Sequence, residues 1–174
     1  MLLEAFRRLR QLTLASDPAS GTEPGIELHL VTKDVLVPEP GLTVYHDLQP
    51  NSAALRQLYA DCDIFCLPTQ GDCLPMVLSE AGAAGLPAIS TQLAAIPEIV
   101  RDGDTGLLIP PGDVDRLVEA LEHLVSDAAL RLQMGERASE TIRQRFDAER
   151  NTGRLLDLIK LMIADARPRG GSVE

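Results

Sequence analysis

The amino-acid sequence predicts an α/β fold, with a parallel sheet covered by helices on both faces. Three observations carry that expectation. Short aliphatic runs at residues 26–31, 42–45, 63–67, 86–90 and 107–109 alternate with helical patterns, the order that βαβ units produce. The run DIFCL at 63–67 is nearly all apolar, which suits a central parallel strand buried on both faces. Gly, Pro, Asp and Ser gather between the runs, where turns and helix ends need them.

Residues 1–14 read as an amphipathic helix. Leu2, Phe6 and Leu9 share one face, Leu3 and Leu12 lie beside it, and Arg7, Arg8 and Arg10 occupy the others. Glu4 and these arginines interrupt its apolar pattern, so it is not a signal peptide. Residues 16–25 have the Ser, Asp, Pro and Gly content of a mobile loop. The strand at 26–31 gives way to a turn-like TKD, and Pro38, Pro40 and Gly41 punctuate the approach to the strand at 42–45. Ser52 is placed to cap a short helix to about residue 60, carrying Leu55, Leu58 and Tyr59.

Pro68 ends the strand at 63–67. A helix over 76–85 follows, and Ala81, Gly82, Ala83, Ala84 and Gly85 let it lie close against the sheet. After the strand at 86–90, residues 97–100 form a helical turn and Asp102-Gly103-Asp104 a tight turn. The strand at 107–109 is closed by Pro110, Pro111 and Gly112. Asp113 and Asp127 cap helices that reach about residues 125 and 145. Val114, Leu117, Val118, Leu121 and Leu124 form the inner face of the first, and Leu130, Met134, Ala138 and Ile142 that of the second. A last helix over 148–164 carries Leu155, Leu158, Ile159 and Met162. One domain is expected over 1–166, with 167–174 a disordered tail.

At 174 residues the chain can bury a real core. That core must be aliphatic, because aromatics make up 3% of the sequence and Trp is absent. A formal net charge of −10 argues against nucleic acid or an anionic membrane surface as partner. No apolar run approaches the ~20 residues of a membrane span, and a cytoplasmic location is expected. Cys62, Cys66 and Cys73 read as buried or partly buried free thiols. No metal site is expected, since His29, His46 and His123 are scattered.

The chemistry concentrates in residues 61–112. The loop 69–75 joins a buried strand to a helix N-terminus, where unpaired N–H groups and the helix dipole favour an anion such as phosphate. Asp72 precedes that helix and, when ionised, only accepts hydrogen bonds, so it suits sugar hydroxyls better than phosphate. By itself Asp72 reads as a solvated loop residue or N-cap. Glu80 lies roughly 12 Å further along by helix rise, too far to act with Asp72 on one bond. Its bland reading is a salt-bridged helix residue, although a carboxylate packed among small apolar neighbours needs partners. Two carboxylates with an anion site between them suit a long ligand that carries hydroxyls at both ends.

Together these segments resemble the C-terminal half of a GT-B glycosyltransferase, in particular the retaining, nucleotide-sugar-dependent glycosyltransferase family 4 (group 1). The residues that carry the resemblance are CLPT at 66–69, DCLPMVLSE at 72–80, EAGAAGLP at 80–87, AAIPEIV at 94–100 and DGDTGLLIPPGD at 102–113. Each is weak alone, but their order over more than 50 residues is specific, and a weaker similarity extends from about Leu2 to Met162. The resemblance implies a Rossmann-like parallel sheet and transfer of a hexose-type sugar from a nucleotide-diphosphate donor, with no cofactor and no metal. It places Asp72 on the transferred sugar and Glu80 on the ribose hydroxyls. Backbone amides of Cys73, Leu74, Met76 and Val77 would meet the sugar and diphosphate, whereas Pro75 has no N–H to give. Thr69, Ala95 and Glu98 would border the donor pocket.

The sequence departs from the family pattern in three ways. Asp72 stands where Glu is usual. Ala94-Ala95 replaces Gly-Gly and narrows the space against that backbone. No strand bearing a G-R…K-G segment precedes the first helix, and neither Lys33 nor Lys160 matches that basic position. A family member would also carry an acceptor-binding N-terminal domain. The isolated chain is therefore expected to be catalytically inactive, and its sheet to lack a first, central strand between 26–31 and 63–67. Direct pairing of those two strands, a rearranged edge or a partner chain would each fill that space, and self-association in a homodimer is the expectation. Two other readings stay open: a fragment of a GT-B sugar-nucleotide epimerase, and a non-catalytic interaction module derived from the same fold.

Overall fold

The computed structural model describes residues 1–16 and 25–165. The expected mobile loop at 16–25, its two ends excepted, and the expected tail at 167–174 lie outside those residues. In order, the chain forms α1 (Leu2–Ser16), β1 (Leu28–Val31), β2 (Leu42–Tyr45), α2 (Ala53–Asp61), β3 (Phe65–Leu67) and α3 (Met76–Ala83). There follow β4 (Ala88–Thr91), α4 (Ile96–Ile99), β5 (Gly106–Ile109), α5 (Val114–Ser126), α6 (Ala128–Arg145) and α7 (Ala148–Asp165). The three expected caps are made. Ser52 accepts from the Leu55 N–H at 3.1 Å, Asp113 from Arg116 at 3.0 Å and Asp127 from Leu130 at 2.9 Å.

Every strand pairing is parallel, as the alternation of elements requires. Among the described residues, however, the strands form two sheets. One holds β1 and β2, and the other runs in the order β3-β4-β5. Direct pairing of β1 with β3 therefore does not occur. This corrects the expectation for 63–67. The strand there is shorter, Phe65–Leu67, only half-buried, and lies at an edge. With no strand on its outer side, β3 cannot be enclosed, however apolar its sequence. The central strand is β4, paired on both edges and buried at all four positions.

Side chains alternate across β3-β4-β5 and divide the core in two. Ile89 and Ile109 face α1 and α5, meeting Ala5, Leu9, Leu117, Leu121 and Leu124, with Cys66 and Leu107 at the margin. Ala88 faces the opposite side, where Leu78 of α3, Ile96 and Ile99 of α4 and Ile142 of α6 cover Phe65, Leu67 and Leu108. Helices thus cover both faces of the three-stranded sheet. No residue of α7 is buried, and Leu155, Leu158, Ile159 and Met162 are all exposed.

The small residues of α3 serve a neighbour other than the one the sequence suggests. A Cβ on Gly82 would fall 2.8 Å from Cγ1 of Ile142, so this glycine brings α3 close to α6 rather than to the sheet. From α6, Gly135 packs directly on the carbonyl of Gly85, and a Cβ there would overlap that oxygen. A carbonyl fixed by a helix C-terminus cannot rotate away as a side chain can. Gly135→Ala should therefore destabilise the protein by about 2 kcal/mol, the usual scale for overpacking. An unchanged midpoint in urea would show that α6 shifts freely.

Candidate functional site

The carboxyl ends of β3, β4 and β5 open onto the loops 68–75, 92–95 and 110–113, the edge at which ligands enter open parallel sheets. Two fully buried hydroxyls at the end of β4 hold the first loop. Ser90 Oγ donates to the Leu67 carbonyl and Thr91 Oγ1 to the Thr69 carbonyl, each at 2.8 Å. Gly71 N–H donates to Thr69 Oγ1 at 3.3 Å. The Ala95 N–H donates to the Cys73 carbonyl at 3.0 Å, joining the loops after β3 and β4. The Gln92 N–H reaches the Ile109 carbonyl at 2.8 Å and draws in the end of β5.

Of the site residues expected from the sequence, Asp72, Cys73, Leu74, Met76, Val77, Glu80 and Glu98 are exposed, while Thr69 and Ala95 are half-buried. The structure brings Cys73 and Ala95 into direct contact through their backbones. Thr69 is fixed from beneath, and its hydroxyl accepts from Gly71. Asp72 has no side-chain partner among the described residues. Glu98 contributes through its carbonyl, which accepts from Nη1 of Arg145 at 2.8 Å and ties α4 to the end of α6. Cys73 is exposed, against the expectation of a buried or partly buried thiol, because its loop lies outside the sheet. Cys62 and Cys66 are half-buried, as expected, and burial pushes the Cys66 thiol up to about 12.

Helix α3 starts at Pro75 with no side-chain cap, so its first N–H groups face the loop without a protein acceptor from a capping residue. Glu80 is not packed among small residues as the sequence suggested. Ala81 and Gly82 turn inward and leave Glu80 on the outer surface. There its Oε2 accepts from the hydroxyl of Tyr59 on α2 at 3.1 Å. Burial, followed by the nearby Glu80 charge, raises the Tyr59 pKa well above the usual phenol range, which keeps this hydroxyl a donor. Sequence reasoning placed Tyr59 only on a helix. Its spacing of 21 residues from Glu80 carries no pairing signal, and only the packing of α2 beside β3 makes it visible.

Between Arg56 and Arg101 the chain contains no Lys or Arg. The loops after β3 and β4 therefore offer an anion backbone N–H groups and neutral side-chain donors, with no cation of their own. What they offer a neutral polyol is richer, since two exposed carboxylates stand on either side of the start of α3.

Parallel strands with their loops gathered at the carboxyl edge define a Rossmann-like α/β domain. The chain belongs to the glycosyl transferases group 1 family, whose profile matches residues 41–141, more than half of the sequence. It is 36% identical over 96 residues to N-acetyl-alpha-D-glucosaminyl L-malate synthase of Bacillus anthracis, covering 55% of this chain and 25% of that protein. It is 43% identical over 91 residues to an exopolysaccharide phosphotransferase of Streptomyces coelicolor, covering 51% of this chain and 10% of that protein. The chain thus spans a quarter or less of the length of these two relatives.

In fold it is similar to sucrose-phosphate synthase of Thermosynechococcus elongatus, with a TM-score of 0.70 at 22% identity over 93% of this chain and 44% of that one. HepE of Anabaena in complex with UDP-glucose gives 0.63 at 21% identity over 70% of this chain and 33% of that one. These neighbours are GT-B glycosyltransferases, and the α/β fold expected from the sequence is the one observed.

Ala94 sits at φ 47°, in the left-handed region that favours glycine. The Ala95–Cys73 hydrogen bond next to it holds this conformation in place. Replacing Ala94 with glycine removes the Cβ conflict at some cost in chain entropy. Ala94→Gly should raise stability by up to about 1 kcal/mol, measured by urea denaturation. A loss of stability would mean that the loop is not strained.

Proposed function

We propose that this chain is the donor-binding domain of a retaining glycosyltransferase, which holds a nucleotide-diphosphate sugar of hexose type at the carboxyl edge of β3 and β4. The observation that carries this reading is the placement of Glu80. It is exposed, it is oriented by Tyr59, and it lies about one turn from the uncapped start of α3. Glu80 accepts from the ribose hydroxyls. Asp72 accepts from hydroxyls of the sugar. The amides of Cys73, Leu74, Met76 and Val77 meet the sugar and diphosphate, and Thr69, Ala95 and Glu98 line the pocket. No metal or other cofactor takes part, and the protein works in the cytoplasm. HepE, solved with UDP-glucose, supports this choice of ligand class.

The isolated chain binds donor without transferring sugar. No Lys or Arg between 57 and 100 is available to neutralise a departing diphosphate. An N-terminal acceptor-binding domain completes the cleft in the active enzyme, and the domain described here extends to about residue 166. The exposed aliphatic face of α7, with Leu155, Leu158, Ile159 and Met162, offers a second copy a surface for a homodimer. Light scattering at high concentration should show the dimer, and a strict monomer would remove it.

The same absence of basic residues favours a second reading, a non-catalytic interaction module of this fold. Calorimetry with UDP, GDP, ADP and their sugars separates the two. The donor reading expects binding by one of them. It also expects Glu80→Gln to weaken that binding about tenfold, as loss of a charged acceptor does, and Tyr59→Phe to weaken it less. Absence of binding at millimolar donor would leave the second reading.

A further inference from the structure

The corner between α6 and α7 gathers positive charge in a chain whose formal net charge is −10. Gln144, Arg145, Arg150 and Arg154 line an open cleft of about 470 Å³ there. Arg145, in the last turn of α6, is fixed from two sides. Its Nη1 donates to the Glu98 carbonyl at 2.8 Å, and its guanidinium lies 5.6 Å from the centre of the Phe146 ring, within cation–π range. The Asn151 amide donates to the Arg145 carbonyl at 2.8 Å and holds the start of α7 against the end of α6. Arg150 and Arg154 lie one turn apart on α7, and among the described residues neither guanidinium has a hydrogen bond or ion pair.

The carboxylates nearby in sequence are engaged elsewhere. Asp147 accepts from the Arg150 backbone N–H at 2.7 Å and so starts α7, Glu140 accepts from Gln144, and Asp157 pairs with Lys160 at 3.3 Å. Glu149 points about 100° away from Arg150 around the helix. The arginines therefore work against the helix that carries them. Like charges one turn apart on a helix repel, and a cation in the first turn opposes the helix dipole. Arg150 and Arg154 meet the first effect and Arg150 the second, with no carboxylate in the cleft to offset either. Guanidinium groups held around one space match a phosphate dianion, which accepts paired N–H donors from each.

We infer that the α6–α7 corner is a binding site for a phosphate monoester, built from residues other than those of the loops after β3 and β4. Arg145 is its fixed wall, Arg150 and Arg154 face the dianion from α7, and Gln144 adds a neutral contact. The bound dianion cancels the repulsion between Arg150 and Arg154. A soluble phosphorylated metabolite and the headgroup of an anionic lipid present the same group.

Glycerol 3-phosphate is the soluble probe, titrated at constant ionic strength while the arginine Nε–H resonances of the whole chain are followed. Those of Arg145, Arg150 and Arg154 should shift together and saturate in the millimolar range or below. That of Arg116, paired with Glu119 on α5, should not move. Arg150→Gln combined with Arg154→Gln should weaken binding about tenfold and leave the helix content unchanged, because neither side chain is buried. Vesicles of phosphatidylcholine with phosphatidic acid carry the same phosphate group, and sedimentation with them tests the lipid source. Binding of either probe that the double variant loses supports the site and identifies its source. The inference is overturned if neither probe binds, or if the shifts spread over all arginines without saturating. It is overturned equally if the double variant binds as tightly as the unchanged chain, since that assigns the phosphate to the α3 amides.

Discussion

Ser90 and Thr91, both wholly buried at the carboxyl end of β4, hold the loop after β3 by their hydroxyls. The rest of the site hangs from this pair of bonds. They fix Thr69, hence the approach to Gly71 and Asp72, and the Cys73 carbonyl is left where Ala95 can bond it. A hydroxyl at each position is needed because the donors must come from within the sheet. At position 91, valine would fill the same space but take the hydroxyl donor from the Thr69 carbonyl, at roughly 1–3 kcal/mol. β4 can act as this anchor because it alone among the described strands is paired on both edges of its sheet.

Much of this was legible from the residues. The helix caps at Ser52, Asp113 and Asp127 follow from side chains that compete for backbone N–H groups, a local effect that the sequence states directly. The five strands and their parallel sense follow from aliphatic runs separated by helices. What failed was anything that depends on a neighbour. The run at 63–67 looks central because hydrophobicity records what a strand could bury, not whether a strand lies beside it. Glu80 looked crowded because Ala81 and Gly82 adjoin it in sequence, while on a helix adjacent residues point about 100° apart. Gly82 and Gly85 announced a close approach, but only the structure shows that α6 makes it.

The site differs from a simple anion cradle in the balance of its charges. An uncapped helix start favours phosphate by about 0.3–1 kcal/mol when exposed, and two carboxylates within reach act against it. In the proposed reading, the ligand sets its hydroxyls on Asp72 and Glu80 and its negative charge on the α3 amides. Tyr59 sharpens this requirement, because its proton occupies one oxygen of Glu80 and leaves the other for an incoming donor. Across the loop contact with Cys73, Ala94 is held in a conformation that glycine would adopt more easily.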